Sequence, residues 1–108
     1  MIVRIWHGWT KPQNAVAYET LLKTEIFRAI ESKGIDGFLG IDLLTRSIPD
    51  LEEFVTVMRF SSIEAVKAFA GEDYERAVVP PEARKLLDRF DEHSQHYELK
   101  VENGRVLA

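Results

Sequence analysis

The stretch that decides the fold runs from Phe54 to Phe69 and reads FVTVMRFSSIEAVKAF. The part from Glu53 to Phe60 is rich in β-branched and aromatic residues, which is typical of a strand. Ser61 and Glu64 then have the spacing of a capping box, in which a serine begins a helix and a glutamate reaches back to it. The next apolar residues recur every three or four positions, which predicts one buried helix face. They are Ile63, Val66, Phe69 and Ala70, and Gly71 ends the helix.

A second strand is predicted immediately before this one. Residues 38–48 are mostly apolar, and Ser47-Ile48-Pro49-Asp50 is typical of a turn. Two strands so close in sequence pair most simply as an antiparallel hairpin.

The N-terminal third predicts a strand and a helix. Residues 2–9 carry apolar side chains on both parities, so this strand is expected to be buried on both faces. Thr10 and Gln13 again have capping-box spacing, and Pro12 is tolerated in a first helical turn. The predicted helix ends at Gly34. Its buried stripe is Ala15, Tyr18, Leu22, Ile26, Ala29 and Ile30.

The C-terminal third predicts a further helix and the last strand. Pro80-Pro81 begins a helix whose buried stripe is Ala83, Leu86, Leu87 and Phe90. Residues 95–101 alternate as a strand. Asn103-Gly104 favours a tight turn into a short strand at 105–107, although residues 101–108 can equally be a frayed tail.

The predicted order is strand, helix, strand, strand, helix pair and strand, in a single domain of residues 1–108. This is the ferredoxin-like βαββαβ arrangement of the α+β class, with a four-stranded antiparallel sheet and the helices on one face. Three of the four strands are apolar on both parities, and the chain has no second layer for the other face. A second copy is the economical cover, so the sequence predicts a homodimer packed sheet against sheet.

Composition excludes several classes of function. Fourteen basic and 18 acidic side chains give the 108 residues a net charge of −4, which argues against a nucleic-acid partner. The absence of cysteine excludes disulfides, iron–sulfur clusters and thiolate zinc sites. No apolar run approaches the roughly 20 residues of a membrane span. The N-terminus does not have the pattern of a signal peptide, so we expect a cytoplasmic protein without membrane contact.

The sharpest candidate for chemistry is Trp6-His7-Gly8-Trp9. His7 can act as a base near neutral pH, and Trp9, on the same parity, can form the wall for an aromatic substrate. Gly8 often marks a close approach of another group to a strand. The alternative is structural: two core tryptophans beside a hydrogen-bonded histidine.

Two further residues are catalytic candidates, each with a structural alternative. Arg59 can bind an anionic substrate oxygen or pair with a carboxylate at the dimer seam. Tyr74 can relay a proton at a pocket mouth or anchor its loop. The candidates for substrate binding are Trp9, Asn14, Thr56, Phe69 and His96. For Asn14, packing at the start of the first helix is the alternative.

The sequence predicts no metal site and no cofactor. His93 and His96 are three positions apart, but the expected change from helix to strand at Ser94-Gln95 sends their side chains apart. Neither a glycine-rich phosphate loop nor a nucleophile elbow is present.

At family level the chain resembles the antibiotic biosynthesis monooxygenases of the dimeric α+β barrel superfamily, over nearly its whole length. The resemblance lies in the element order, in residues 54–69, in the stretches FAGEDYE (69–75) and VPPEAR (79–84), and in the closing strand around His96-Tyr97-Glu98. It implies a homodimer with a pocket between helices and sheet. Some relatives oxidise polycyclic phenols or hydroquinones with dioxygen and need neither metal nor flavin.

The resemblance therefore implies a cofactor-independent monooxygenase that acts on a small aromatic molecule. A base helps ionise the phenol, and the anion then reduces oxygen in an apolar pocket. His7 would be the base, Trp9 the wall, and Tyr74 or Arg59 the oxyanion partner.

Other relatives imply other functions. Haem-degrading relatives ligate iron through a histidine in the helix after the third strand, where this chain has Phe69-Ala70, so haem is not favoured unless His7 or His96 substitutes. A third group implies a non-catalytic small-molecule-binding or structural dimer module. A His7 that points into a cavity beside Trp9 would favour the enzyme, whereas a His7 bonded away from any void would favour the module.

Overall fold

The main sheet has the strand order of a ferredoxin-like fold. The computed structural model describes residues 1–107, and Ala108, the last residue of the predicted tail, lies outside them. The strands are β1 Ile2–Thr10, β2 Phe38–Ile48, β3 Leu51–Phe60, β4 Arg89–Phe90 and β5 Gln95–Glu98. β3 lies between β2 and β1, and the far edge of β1 pairs with β4 and β5, always antiparallel. The predicted α+β class is confirmed, with β4 and β5 in the place of a single fourth strand.

The predicted hairpin of β2 and β3 is present. Its turn is formed by Pro49 and Asp50, and Asp50 has a positive φ of 67°. The register shifts between Phe38 and Gly40, which indicates a β-bulge at the start of β2. β3 begins two residues before the predicted Glu53 because Leu51 still pairs with Ile48.

The helices lie in three regions of the chain. They are α1 Pro12–Leu21, a π-helical turn Leu22–Ile26, α2 Phe27–Ser32, α3 Ile63–Ala70 and α4 Pro81–Leu86. α1, the π-helical turn and α2 follow one another without a break, so the single predicted helix contains a local change of winding. The spacing of its apolar residues did not predict that change.

Both predicted helix caps are displaced. Thr10 does not cap α1, because it is fully buried as the last residue of β1 and pairs with Glu52. α3 is capped by Ser62, whose Oγ accepts a hydrogen bond from the Ala65 N–H at 3.2 Å. The prediction of Ser61 is wrong by one residue, since the Ser61 N–H bonds to the Gly37 carbonyl at 2.8 Å.

The C-terminal third differs most from the prediction. α4 ends at Leu86, and Arg89 and Phe90 form β4 against Gly8 and Trp9 of β1. The predicted helical positions of Leu87 and Phe90 are therefore wrong, because the free edge of β1 provides backbone partners there. β5 ends at Glu98, three residues early. Of the two alternatives for the last residues, the structure has the hairpin, with β6 Val101–Glu102 and β7 Arg105–Val106 joined by Asn103-Gly104, both of which have positive φ.

The helices cover one face of the main sheet. Arg4, Trp6, Met58 and Phe60 are buried beneath them, and alternation sends their neighbours to the other side. We call that other side the open face. Its residues are Val3, Ile5, His7 and Trp9 of β1, Asp42, Leu44 and Arg46 of β2, and Glu53, Val55, Val57 and Arg59 of β3. Within residues 1–107, no helix has the length and apolar character needed to cross a membrane.

The buried side chains form two clusters between the helices and the sheet. One contains Phe60 and Val66 and the other contains Tyr18 and Phe54. Phe60 and Val66 are completely buried, and the Tyr18 and Phe54 rings meet edge to face at 4.8 Å. These clusters position the walls of the cavity described next.

Candidate functional site

An inner cavity of about 60 Å³ lies between the helices and the sheet, where the two core clusters meet. Its walls are largely apolar and include several aromatic rings. The lining residues are Arg4, Trp6, Tyr18, Leu22, Ile26, Phe27, Ile30, Ile41, Thr56, Met58, Phe69, Val78, Val79, Pro80, Ala83 and Ser94. Such a site suits an apolar ligand with a few polar groups.

An outer groove of about 350 Å³ adjoins the inner cavity. The two spaces share wall residues, namely Ile26, Ile30, Phe69, Val78 and Pro80. Three charged residues, Glu25, Lys33 and Glu82, line the groove and are absent from the inner walls. A ligand that spans both spaces would therefore have an apolar inner environment and a charged outer end.

The π-helical turn forms part of both walls. Leu22 and Ile26 line the inner cavity, while Glu25 and Ile26 line the outer groove. π-helical turns occur mostly as single turns within α-helices and are frequent at functional sites. Here the turn determines which side chains of residues 12–32 face the inner cavity and which face the outer groove.

Trp6 forms one wall because Gly8 leaves room for its indole. The Trp6 Nε1–H donates to the Asp91 carbonyl at 2.7 Å, which fixes the ring. A Cβ at position 8 would lie 2.7 Å from the Trp6 ring and 3.0 Å from Leu87. The close approach predicted at Gly8 is therefore that of the neighbouring tryptophan.

Arg4 brings a charge to the inner wall. It is 3% exposed, and its guanidinium donates to the carbonyls of Tyr74 and Arg76 and contacts His96 Nε2 at 3.0 Å. Burial lowers the pKa of Arg4 to about 10, so it remains charged at neutral pH. The same bonds hold the connector that contains Tyr74 against β1.

Two polar atoms near Arg4 are buried without a hydrogen-bond partner, Ser94 Oγ and His96 Nδ1. Ser94 is 4% exposed and lines the inner cavity, and its backbone N–H is fixed by the Glu75 carbonyl at 2.6 Å. His96 lies behind Arg4, with its ring edge-on to Tyr74 at 5.1 Å. Buried polar groups without partners are uncommon in folded proteins, so Ser94 is a candidate ligand contact.

The environment of His96 predicts a dependence of stability on pH. Burial, and secondarily the charge of Arg4, lower the pKa of His96, while Glu75 opposes this shift. In the unfolded chain, His96 binds a proton near pH 6.5, whereas in the folded protein it does so only at lower pH. The free energy of unfolding should therefore fall as the pH drops below about 6.5. His96→Gln keeps a possible acceptor for Arg4 and should flatten the melting temperature between pH 7 and pH 5.

The exposed His93 provides the control for this measurement. Thermal melts of His93→Gln should follow the wild-type pH profile. An unchanged profile in His96→Gln would contradict the assignment of the pH dependence to His96.

Two of the predicted substrate-binding residues line the cavity. Thr56 lies on the sheet wall, and Phe69 lies on the wall shared by the inner cavity and the outer groove. The Phe69 ring has Arg4 Cζ at 5.5 Å and Lys33 Nζ at 5.6 Å from its centroid. His96 contacts Arg4 without lining the cavity.

His7 and Trp9 lie on the open face and do not line the cavity. His7 Nδ1 is 3.0 Å from Glu53 Oε2, and Arg46 Nε donates to the other oxygen of that carboxylate. These two contacts, the Arg46 bond first, lower the pKa of Glu53. Trp9 stacks with His7 at 6.1 Å and carries Arg89 Cζ at 4.2 Å above its ring. His7 and Trp9 therefore do not act as base and wall for a ligand in this cavity.

The remaining predicted residues also lie away from the cavity. Arg59 donates to Asp42 Oδ2 at 2.8 Å on the open face, a carboxylate pairing within the chain. Asn14 Nδ2 donates to the Leu86 carbonyl at 3.4 Å and so joins α1 to the end of α4. Tyr74 packs against the cluster of Phe60 and holds its connector through its carbonyl bond to Arg4.

Sequence reasoning missed Arg4 and Ser94 as cavity residues. Arg4 had a usable signal, because it is a lone charge between Ile2 and Trp6 on one parity of an otherwise apolar strand. Ser94 had none, since a serine in a loop is ordinary. Its burial depends on the bridge between Arg76 and His93, which brings two distant segments together.

The fold and the placement of these spaces define a ferredoxin-like α+β protein with a small inner cavity between helices and sheet and a larger groove that adjoins it. Solved structures with this fold include the following two, which are similar to the chain over nearly its whole length. One is a protein from Bacillus cereus with the provisional name of antibiotic biosynthesis monooxygenase, at 16% identity and a TM-score of 0.61, over 94% of this chain and 95% of that one. The other is the haem degrader MhuD from Mycobacterium tuberculosis, with two haems bound in its active site, at 24% identity and a TM-score of 0.57, over 96% of this chain and 100% of that one. No protein-family model and no curated protein sequence matches the chain.

The chain therefore shares its fold with these two proteins, and the haem in one of these structures requires a test of the cavity. Histidine is a common haem ligand. His7 lies on the open face, His96 lies behind Arg4, and His93 is exposed and does not line the cavity. The cavity wall carries Phe69 instead of a histidine. The histidines of this chain therefore do not fit haem in the cavity. Within residues 1–107, no cluster of three or more His, Asp or Glu side chains could hold a metal ion.

Proposed function

We propose that the protein binds a small aromatic molecule in the inner cavity and outer groove and oxidises it with dioxygen, without a cofactor. The observation that carries this proposal is the largely apolar cavity, walled by Trp6, Tyr18, Phe27 and Phe69, between the helices and the sheet. Aromatic walls suit a planar ring, and exclusion of water protects a reactive anion.

The reaction needs no external reductant when the substrate is an anthrone or a similar phenol tautomer. The substrate loses a proton, and the resulting anion donates an electron to dioxygen. The ring methylene becomes a carbonyl that keeps one oxygen atom, and the other oxygen leaves as water with the two methylene hydrogens. The protein is required to bind the ring, stabilise the anion and exclude water.

A second function, binding without turnover, is favoured by the position of His7. Its ring is bonded to Glu53 on the open face, so it does not contact a ligand in the cavity. The inner wall contains one cation, Arg4, and the hydroxyls of Tyr18, Thr56 and Ser94, and burial raises the pKa of Tyr18. A neutral-pH base is absent from that described wall.

Oxygen uptake by the purified, metal-free protein distinguishes the two functions. With a panel of anthrones and hydroquinones, we expect uptake at least about tenfold above the uncatalysed rate. Thr56→Phe should abolish the enhancement because the larger ring fills the cavity, whereas Thr45→Phe changes an exposed residue of β2 and should not. Enhancement that persists in Thr56→Phe would place the reaction elsewhere.

The base is tested separately by His7→Ala. Loss of uptake would assign the base to His7 despite its place on the open face. Unchanged uptake would remove His7 from the mechanism. Binding of the same compounds with no uptake would leave the binding module as the function.

The homodimer is also part of the proposal, in a cytoplasmic setting. The open face carries half-buried Val3, Ile5, Val55 and Val57, and Leu44 is 55% exposed. The helices pack on the opposite face, against Trp6, Met58 and Phe60. A second copy would cover the apolar centre, while Arg59–Asp42 and Arg46–Glu53 remain paired within each chain.

A further inference from the structure

We propose that Arg4 and Ser94 form a subsite for one anionic oxygen group of the ligand, a carboxylate or a phenolate. The cavity would then select an ionised aromatic molecule over a neutral one of the same shape. This inference rests on the proposed role of the cavity as the ligand site.

The charge of Arg4 has no acidic partner in the described part of the chain. Its acceptors are two backbone carbonyls and the His96 ring, and no carboxylate of residues 1–107 lies within 4.0 Å. A buried charge is costly unless it is paired. An anionic group of the ligand would provide the missing partner on a wall that already contains the guanidinium.

The hydrogen-bond count of Arg4 also leaves donors free. Nη1 donates to the Tyr74 carbonyl and contacts His96 Nε2, and Nη2 donates to the Arg76 carbonyl at 3.2 Å. A guanidinium has five N–H groups, so Nε–H and one N–H of Nη2 have no acceptor among residues 1–107. Two adjacent donors of this kind match the two oxygens of a carboxylate.

Ser94 gives an independent reason for a ligand oxygen at this place. Its hydroxyl is buried without a partner, and the residue lines the same inner wall as Arg4. A hydroxyl can donate to an anionic oxygen, and Ser94 is held in place through its backbone bond to Glu75. One charged donor and one neutral donor thus share the inner cavity.

The outer groove sets the orientation of the ligand. Glu25 and Glu82 line it together with Lys33, so a second anionic group there would meet two carboxylates. We therefore assign the ionised end to the inner cavity and the uncharged rings to the shared apolar wall and the groove.

The test compares 2-naphthoate with 2-naphthamide, which has nearly the same shape but no charge. Dissociation constants come from titration calorimetry. Binding is located from Trp6 emission in a Trp9→Phe variant, because the chain has two tryptophans and Trp6 lines the inner cavity. The wild type should bind naphthoate at least about tenfold more tightly than the amide.

Three variants assign that preference. Arg4→Met should weaken naphthoate binding by about ten- to a hundredfold and leave the amide nearly unchanged. Ser94→Ala, which leaves the connector bonds of Arg4 intact, should weaken naphthoate by about threefold or more, so the test does not depend on the folding of Arg4→Met. Arg28→Met removes an exposed charge of α2 away from the cavity and should change neither constant.

Each of the other outcomes would overturn a specific part of the proposal. Equal binding of the acid and the amide, with a change in Trp6 emission, would overturn the anionic subsite and keep the cavity as a ligand site. A naphthoate preference that survives in both Arg4→Met and Ser94→Ala would place the anion elsewhere and overturn the assignment. Binding of neither compound would overturn both the subsite and the proposed aromatic-binding function.

Discussion

Replacing Phe60 with alanine is expected to lower the free energy of unfolding by about 3–5 kcal/mol. Phe60 is completely buried at the end of β3, and its ring lies 5.7 Å from Phe38 and 5.9 Å from Phe69. Removal of the ring leaves a void between the sheet, at β2 and β3, and the helix α3. The sheet and the helix cannot both move inward to fill it. A loss of this size is a large fraction of the roughly 5–15 kcal/mol that stabilises a typical domain.

Urea unfolding at one fixed protein concentration measures this loss, because assembly would otherwise contribute to the apparent stability. Leu39→Ala is the control, since Leu39 is 52% exposed at the bulge of β2. It should change the free energy of unfolding by less than about 1 kcal/mol. A similarly small change in Phe60→Ala would contradict the placement of Phe60 in the core.

Replacing Val57 with lysine is expected to convert the proposed dimer into a folded monomer. Val57 lies in the middle of the open face, paired with Ile5 on one side and Asp42 on the other. In a monomer the new ammonium group would face water, at little cost. In a dimer packed sheet against sheet it would be buried without a partner, which is strongly unfavourable.

Sedimentation velocity at micromolar concentration measures this effect. The wild type should sediment as a dimer and Val57→Lys as a monomer with an unchanged circular dichroism spectrum. Val16→Lys, at a position of α1 that is 79% exposed, should remain dimeric. A wild-type protein that sediments as a monomer would overturn the dimer proposal itself.

The fold could be predicted because its main signals are local. The hairpin of β2 and β3 and the step from Phe60 into α3 follow from alternation, turn residues and a serine cap, all within short segments. The end of the last helix could not be predicted. Its apolar spacing continues to Phe90, whereas α4 ends at Leu86 because Arg89 and Phe90 pair with the distant residues Gly8 and Trp9. Tertiary pairing there overrides a helical apolar spacing.

The site was harder to predict because β1 is apolar on both faces. Alternation correctly placed His7 and Trp9 on one face of the strand and Trp6 on the other. It could not show which side the helices cover, and the prediction chose the side with the histidine. Arg4 and Trp6 lie under the helices, so the chemistry of the cavity wall is that of a guanidinium and hydroxyls rather than of an imidazole.

The π-helical turn has a consequence for how this chain can tolerate change in length. An α-helix advances by about 100° per residue, and a π-helical turn accommodates one residue more than the α-helical turn it replaces. Loss of one residue between Leu22 and Ile26 could therefore be absorbed as ordinary α-helix, with both ends of the helical region still in place. The side chains of the turn itself, among them Leu22, Glu25 and Ile26, would then meet the cavity and the groove at different angles. A relative of this protein that lacks the extra residue would keep the fold and present a differently shaped space to its ligand.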